Sequence, residues 1–168
     1  AYLREKDIPI MPSSKSAIEA LDAEALSPRD LAELVMRDPF LSLRVLRLAE
    51  RRRSTRLGHE TTTLLGAVQQ VGVRGLVDSA AESPLCDDSN ADLMACEVRA
   101  EMSAAIALRW AAHRADVAPE ELALAALLGE IGELMLWAFE PEVPQRALEA
   151  LRAGRVPRSA LAQRMTLG

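Results

Sequence analysis

The stretch PEELALAALLGEIGELMLWAF, residues Pro119–Phe139, decides the fold. From Leu122 to Leu128 it is apolar on every face, which is typical of a helix at the centre of a domain. Pro119 suits the first turn of a helix, and the two glutamates that follow it place negative charge near the positive end of the helix dipole. The sequence therefore predicts a central helix that starts at residue 119.

Gly129, Glu130 and Gly132 interrupt this apolar stretch. A glycine costs about 1 kcal/mol against alanine in a helix interior, and a buried carboxylate needs a partner or loses its charge. One interpretation is that the glycines let a neighbouring helix approach closely and that Glu130 finds a cation. The alternative is that a functional site lies here, or once did.

Composition favours packed helices over sheet. The chain has 168 residues and is rich in leucine and alanine, with only 3% aromatic residues, whereas strands favour β-branched and aromatic side chains. This length is enough for one domain with a sizeable core. We expect residues 1–168 to form a single all-α domain, a compact bundle of several helices excised from a longer protein and truncated at its C-terminus.

The charge and the cysteines exclude several classes of function. A net charge of -5 argues against general nucleic-acid binding, which usually requires a basic surface. Cys86 and Cys96 are too few and too isolated to predict a metal site or a disulfide framework, and idle thiols are typical of a reducing cytoplasm. We find no signal peptide and no unbroken run of about 18 apolar residues. The sequence therefore predicts a cytoplasmic protein that makes no membrane contact.

The N-terminal third carries clear helix boundaries. Pro9 and Pro12 favour extended backbone, and Ser13 or Ser14 is then expected to cap the first helix. Ser27, with a proline after it and an aspartate in the first turn, predicts the start of the next helix. An aspartate–proline pair at 38–39 repeats this pattern, so one helix should end and another begin almost without a loop.

Arginines gather at the end of that third helix and just beyond it. Arg44, Arg47 and Arg51 fall on one helical face, and the others lie at or past the C-terminus, where cations suit the dipole: Arg52, Arg53 and Arg56. A phosphate-rich or acidic partner could use this candidate interaction surface. The alternative is a solvated face, because no aromatic side chains interleave with the arginines to stack bases.

Further helices complete the predicted bundle. Thr61–Thr63 offer caps to a helix that Gly72 should stop, and a short helix follows it. A long helix is expected over 90–113, with apolar residues at three- and four-residue intervals that predict its buried stripe: Ala91, Met94, Val98, Met102 and Ala105. Arg99 lies at the edge of that stripe. Helices over 141–153 and from 157 to 165 end the chain, and no segment reads as a strand.

Four stretches together resemble the HDOD domain, a bacterial signalling relative of the HD-type metal-dependent phosphohydrolases. They are IPIMPSS (8–14), DLAELVMRDPFLSLRVLRLA (30–49), LLGAVQQVGVRGL (64–76) and LALAALLGEIGELML (122–136). The resemblance implies an HD-like helical bundle with a role in signal transduction. It also implies structural roles for the motif residues Pro9, Pro12, Asp38 and Pro39.

The resemblance also implies where a metal site would lie. In catalytic HD proteins a histidine–aspartate pair on the central helix helps to bind one or two metals, and further histidines complete the site. Gly129 and Glu130 fill the position of that pair here, and Arg99 lies about where another histidine belongs. We therefore expect a vestigial metal site, with Arg99 and Glu130 approaching each other as a charge pair.

The residues themselves argue against catalysis. Metal activation of water needs several converging imidazole, thiolate or carboxylate ligands, and the chain has only His59 and His113. Glu130 and Glu133 could hold a hard cation only weakly. We expect a non-catalytic pseudoenzyme without a cofactor, which acts through protein partners or attached signalling domains. The alternatives are a regulatory nucleotide-binding domain and, less favoured, a divergent metal-dependent phosphohydrolase.

Overall fold

The computed structural model describes residues 6–21, 27–52 and 62–155. Within these ranges the chain is helical, without a strand, and a single parallel bridge joins Ile10 to Leu85. The helices are α1 (Pro12–Glu19), α2 (Pro28–Val35), α3 (Pro39–Arg52), α4 (Leu64–Glu82), α5 (Ala91–Ala111), α6 (Pro119–Leu128), α7 (Ile131–Phe139) and α8 (Glu142–Arg152). The all-α prediction is confirmed. The helix expected over 157–165, and Arg53, Arg56, His59 and Thr61, lie outside the described residues.

The helix boundaries of the N-terminal third are mostly as expected. Ser27 and Asp30 form a complete capping box at the start of α2, and α3 begins at Pro39 only a few residues after α2 ends. The expected cap of α1 by Ser13 or Ser14 is wrong. Met11 occupies that position without a side-chain cap, because the helix already begins at Pro12. Ser14 is instead buried within α1 and hydrogen-bonds Asp38.

Two hydrophobic clusters form the core. The first joins α2, α3 and α4 through residues such as Leu31, Leu41 and Val68. The second joins the N-terminal segment, α5, α6 and α7, and includes Phe40 and Leu134. Since α3 contributes to both clusters, it connects the two halves of the molecule.

Gly72 divides α4 into two helical segments. Its φ of 70° and ψ of 163° are not helical, and helical turns continue on both sides. The predicted helix stop at Gly72, with a further helix after it, is confirmed, and the two segments meet there at a kink. Thr63 caps the start of α4 by accepting a hydrogen bond from the amide of Gly66, as the sequence predicted.

The buried stripe predicted for α5 is wrong except at Met94, which is half-buried against the second core cluster. Val98 and Met102 are 46% and 58% exposed, and Ala91 and Ala105 are exposed as well. The face that packs inward is narrow, and its members are Leu93, Cys96, Ala100, Ala104 and Ala111. Apart from Leu93 these side chains are small, which lets α6, the main neighbour of α5, approach closely. The large apolar residues Val98, Met102, Ile106 and Trp110 point outward instead.

The segment Pro119–Phe139 is less central than its composition predicts. A turn at Gly129 and Glu130 divides it into α6 and α7, and Ala125 is exposed on α6. By length and composition alone the segment is apolar enough to cross a membrane, so the composition-based exclusion of such a segment was too strict. Leu127 and Leu134 bury the two helices against the second core cluster.

Candidate functional site

Arg99 and two carboxylates meet at the turn between α6 and α7. The Nη2 atom of Arg99, on α5, lies 3.3 Å from an oxygen of Glu130 and 3.2 Å from an oxygen of Glu133. Glu130 occupies the turn itself, and Glu133 lies in the first turn of α7. The predicted approach of Arg99 and Glu130 is confirmed. The contact with Glu133 was not predicted, although its three-residue spacing from Glu130 places both on one helical face.

Cys96 adds a third potential ligand to this cluster. Its sulfur and the carboxylate oxygens of Glu130 and Glu133 all lie within 4.8 Å of one another. Sequence reasoning dismissed this cysteine as isolated, although it precedes Arg99 by three residues and so shares its side of α5. Burial, followed by the charge of Glu133, raises the pKa of the Cys96 thiol to about 12, so the sulfur keeps its proton at neutral pH.

This donor set does not fit the metal centre of an HD-type hydrolase. The thiol is protonated at neutral pH, and the Arg99 guanidinium contacts both carboxylates where they converge and offsets one of their two negative charges. A Cβ atom at Gly129 would lie 3.2 Å from the carbonyl oxygen of Ala126, so a ligand side chain there would crowd the backbone.

Neither histidine supplies an imidazole to this cluster in the part of the chain that the structure describes. His113 is exposed just beyond the end of α5. It follows Arg99 by 14 residues, a separation of about 20 Å at the rise of an α-helix. His59 lies outside the described ranges.

The predicted arginine surface divides into buried and exposed parts. Arg44 has a side chain only 15% exposed, paired with Asp7 at 2.5 Å, and it also donates to Ser79 and to the carbonyl oxygen of Ile8. It is therefore an internal connector that ties α3 to α4 and to the N-terminal segment. The prediction of a solvated or partner-binding face is wrong for this residue.

Arg52 is exposed, but its guanidinium bonds to the backbone of α4. Its Nη1 atom donates to the carbonyl oxygen of Val71 at 2.6 Å, and its guanidinium lies over Gly75. Arg47 and Arg51 line a cavity of about 340 Å³, but acidic side chains share that cavity: Asp7, Asp78 and Glu82. These carboxylates offset part of the positive charge, although five basic side chains line the same cavity: Lys6, Arg44, Arg47, Arg51 and Arg52.

Asp38 gives the proline motif its structural role. The carboxylate is fully buried and accepts hydrogen bonds from the backbone amides of Met11, Phe40 and Leu41. It thus caps α3 and fixes the segment between Pro9 and Pro12 at the same time. That segment bonds backbone to backbone with Pro84 and Cys86 through Ile10.

Glu97, on α5, is an unusual acid that sequence reasoning missed. Burial, the charge of Asp38 and then the charge of Glu101 raise its pKa to about 7. The neighbouring Cys86 thiol is affected in the same way, since burial and the charges of Asp38 and Glu97 raise its pKa to about 12. No spacing rule could have found this group, because Asp38 lies just before α3 and far in sequence from Glu97.

An apolar cleft of about 480 Å³ opens between α2, α4, α5 and α6. Its floor includes Met36, Leu64 and Leu108, and charged residues form its rim: Arg29, Glu33, Arg37, Glu101 and Glu120. The cleft is separate from the Arg99 cluster. Its lining residues come from segments far apart in the chain, so no local sequence pattern identifies the cleft.

The model of the HDOD domain family matches residues 8–168. Since this match covers nearly the whole chain, the chain belongs to the HDOD family. The structure also agrees with the HD-like bundle that the family resemblance implied.

Two solved structures share this fold. A virulence factor (cj0248) from Campylobacter jejuni subsp. jejuni has a TM-score of 0.73 at 18% identity, over 96% of this chain and 60% of that chain. A fragment of the MmoQ response regulator from Methylococcus capsulatus str. Bath has a TM-score of 0.68 at 25% identity, over 96% of this chain and 68% of that chain. The present chain thus spans only part of either protein. No curated protein matches it.

Proposed function

We propose that this chain is a non-catalytic signalling domain of the cytoplasm, which acts by binding protein partners or signalling domains attached to it. The observation that carries the proposal is the Arg99 guanidinium, which contacts both carboxylates at the position where the resemblance to HD hydrolases implies a metal site. A fixed cation on the protein offsets one of the two carboxylate charges and occupies the space between them, which weakens the attraction of a metal ion. The domain keeps a helical scaffold and surfaces on which partners can dock.

The family and one structural relative support a signalling context. The chain belongs to the HDOD family, and MmoQ, at 25% identity, is described as a response regulator. The nucleotide-binding alternative depends on free arginines, and two of the predicted ones, Arg44 and Arg52, are engaged within the fold. We therefore favour a protein-interaction role over nucleotide binding and over hydrolysis.

Metal binding and turnover test this proposal together. Purified protein incubated with Mn²⁺, Fe²⁺ or Zn²⁺ and then desalted is expected to hold far less than one ion per chain and to release no phosphate from a panel of nucleotides. Stoichiometric metal with phosphate release would overturn the proposal. A nucleotide that raises the melting temperature at millimolar concentration would instead favour the nucleotide-binding alternative.

Replacement of Arg99 tests the physical reason. We expect Arg99→Ala to increase Mn²⁺ affinity about tenfold, because the two carboxylates then lack their cation. Arg109→Ala, a change at an exposed arginine on the same helix, is the matched control and should leave the affinity unchanged. Isothermal titration would measure both. Equal Mn²⁺ affinity in wild type and Arg99→Ala would contradict the assigned role of Arg99.

A further inference from the structure

One row of large apolar side chains on α5 is exposed, and Trp110 at its end has the Arg114 guanidinium 5.0 Å from its ring centroid. Val98, Met102, Ile106 and Trp110 recur every four residues and are 46%, 58%, 64% and 52% exposed. Residues at this spacing form a continuous ridge along a helix surface. Exposed apolar patches of this kind are typical of interaction sites rather than of free surface.

The adjacent row of α5 carries charges in an ordered sequence. Glu101, Ala105 and Arg109 are also four residues apart and exposed, and each precedes a member of the apolar row. The acidic Glu101 and the basic Arg109 therefore lie at equal distances on either side of Ala105. When a second α5 helix lies antiparallel to the first, Arg109 of one helix lies opposite Glu101 of the other. The row is therefore complementary in charge to a copy of itself.

We propose that the α5 face is a self-association surface that pairs with α5 of a second copy of this chain in antiparallel orientation. A twofold axis near Ala105 places Glu101 of one copy beside Arg109 of the other, and the same contact occurs twice. Two helices that cross at about 50° align rows of this spacing, so the apolar ridges pack beside the charge pairs. Ala105, at the centre, allows the backbones to approach.

The charge order favours a second copy over other occupants of the face. An unrelated helix or an apolar ligand would require the exposed apolar ridge but no balance of charge about Ala105. Self-association is compatible with a scaffold and with an enzyme alike, so it is independent of the proposed function. Metal analysis tests the proposed function, and the oligomeric state in solution tests self-association.

Charge reversal provides the experiment. Sedimentation equilibrium of the full chain is expected to show a reversible dimer that Ile106→Lys abolishes. Glu101→Arg and Arg109→Glu should each weaken it about tenfold, because each places like charges opposite one another twice. Leu85→Lys changes another exposed apolar residue, 50% exposed and away from α5, and should have no effect.

A mixture of the two charge variants makes the test specific. Glu101→Arg leaves two bases on its row and Arg109→Glu leaves two acids, so an equal mixture should form heterodimers at least as tight as the wild-type dimer. A monomeric wild-type protein at high concentration would overturn the proposal. So would charge variants that associate as tightly as wild type, or a mixture that fails to recover association.

Discussion

Asp38 illustrates how one side chain can connect distant parts of this chain. The sequence predicted its role as a cap, because an acid before a proline is typical of a helix start. The structure adds a bond to the amide of Met11, which lies on the other side of α1 and α2 in sequence. Burial raises the pKa of Asp38, against the effect of the amide bonds from Met11 and Leu41, the Ser14 hydroxyl and the Phe40 amide. The carboxylate is thus stabilised by bonds yet penalised by desolvation.

Glu97 makes stability depend on pH. Its pKa of about 7 in the folded protein lies above the ordinary value of 4.5, so the folded state binds the proton more tightly than the unfolded state. The contribution of Glu97 is therefore most favourable below pH 4.5 and is lost as the pH rises toward 7. Glu97→Gln should stabilise the protein at pH 8 by about 1 to 2 kcal/mol, a value reduced from the full shift because the side chain is partly exposed.

Urea denaturation of Glu97→Gln at pH 8 and at pH 4 would measure this effect. The difference from wild type should nearly vanish at pH 4, where both forms are neutral at this position. Glu142→Gln, at an exposed position on α8, is the control and should change stability little at either pH. A stabilisation of equal size at both values of pH would contradict the electrostatic explanation.

At the scale of elements, α5 shows the limit of periodicity. Its sequence contains two apolar stripes, one of large residues and one mostly of alanines, and the helix buries the second. A pattern of three- and four-residue intervals identifies a helix, but it does not decide which of two stripes meets a neighbour. The alanine-rich stripe is the buried one because α6 packs closely against its small side chains.

The kink in α4 allows a matched test with two glycines. Gly72 has a φ of 70°, whereas Gly132 is helical, and a Cβ atom would meet nothing within 4 Å at either position. Gly72→Ala should therefore destabilise the protein by about 1 kcal/mol through backbone strain alone. Gly132→Ala should stabilise it by up to about 1 kcal/mol, because alanine favours the helix.

Thermal or urea denaturation of these two variants would show the opposite signs. If Gly72→Ala were as stable as Gly132→Ala, the left-handed conformation at residue 72 would be wrong. The kink would then belong to a different residue of α4.

At the scale of the whole molecule, the two tryptophans report on opposite environments. Trp137, in α7, is 5% exposed within the second core cluster, whereas Trp110 is 52% exposed on the apolar face of α5. In dilute solution, Trp110→Phe should leave a blue-shifted emission that iodide quenches weakly. Trp137→Phe should leave a red-shifted emission that iodide quenches strongly. The reverse pattern would mean that α5 packs with its large apolar residues inward.

The Arg99 cluster depends both on single residues and on how the helices pack in the whole molecule. The pair of Arg99 and Glu130 could be predicted, since each charge is awkward at a helix interface without the other. The part played by Cys96 could not, because its proximity to Glu133 depends on the angle at which α5 crosses α7. The same holds for Arg44, whose partners lie in two other segments.

The sequence by itself determined the helical class, most helix boundaries and the HDOD family. The helical class and the helix boundaries depend on local rules of capping, proline placement and periodicity, which act within a few residues. The family was inferred separately, from the resemblance of four stretches to the HDOD domain. Only the tertiary structure decided which stripe of α5 is buried, which arginines are internal, and how one guanidinium meets two carboxylates. Those outcomes depend on contacts between segments far apart in the chain, and local sequence carries no record of the angle and distance at which two helices pack.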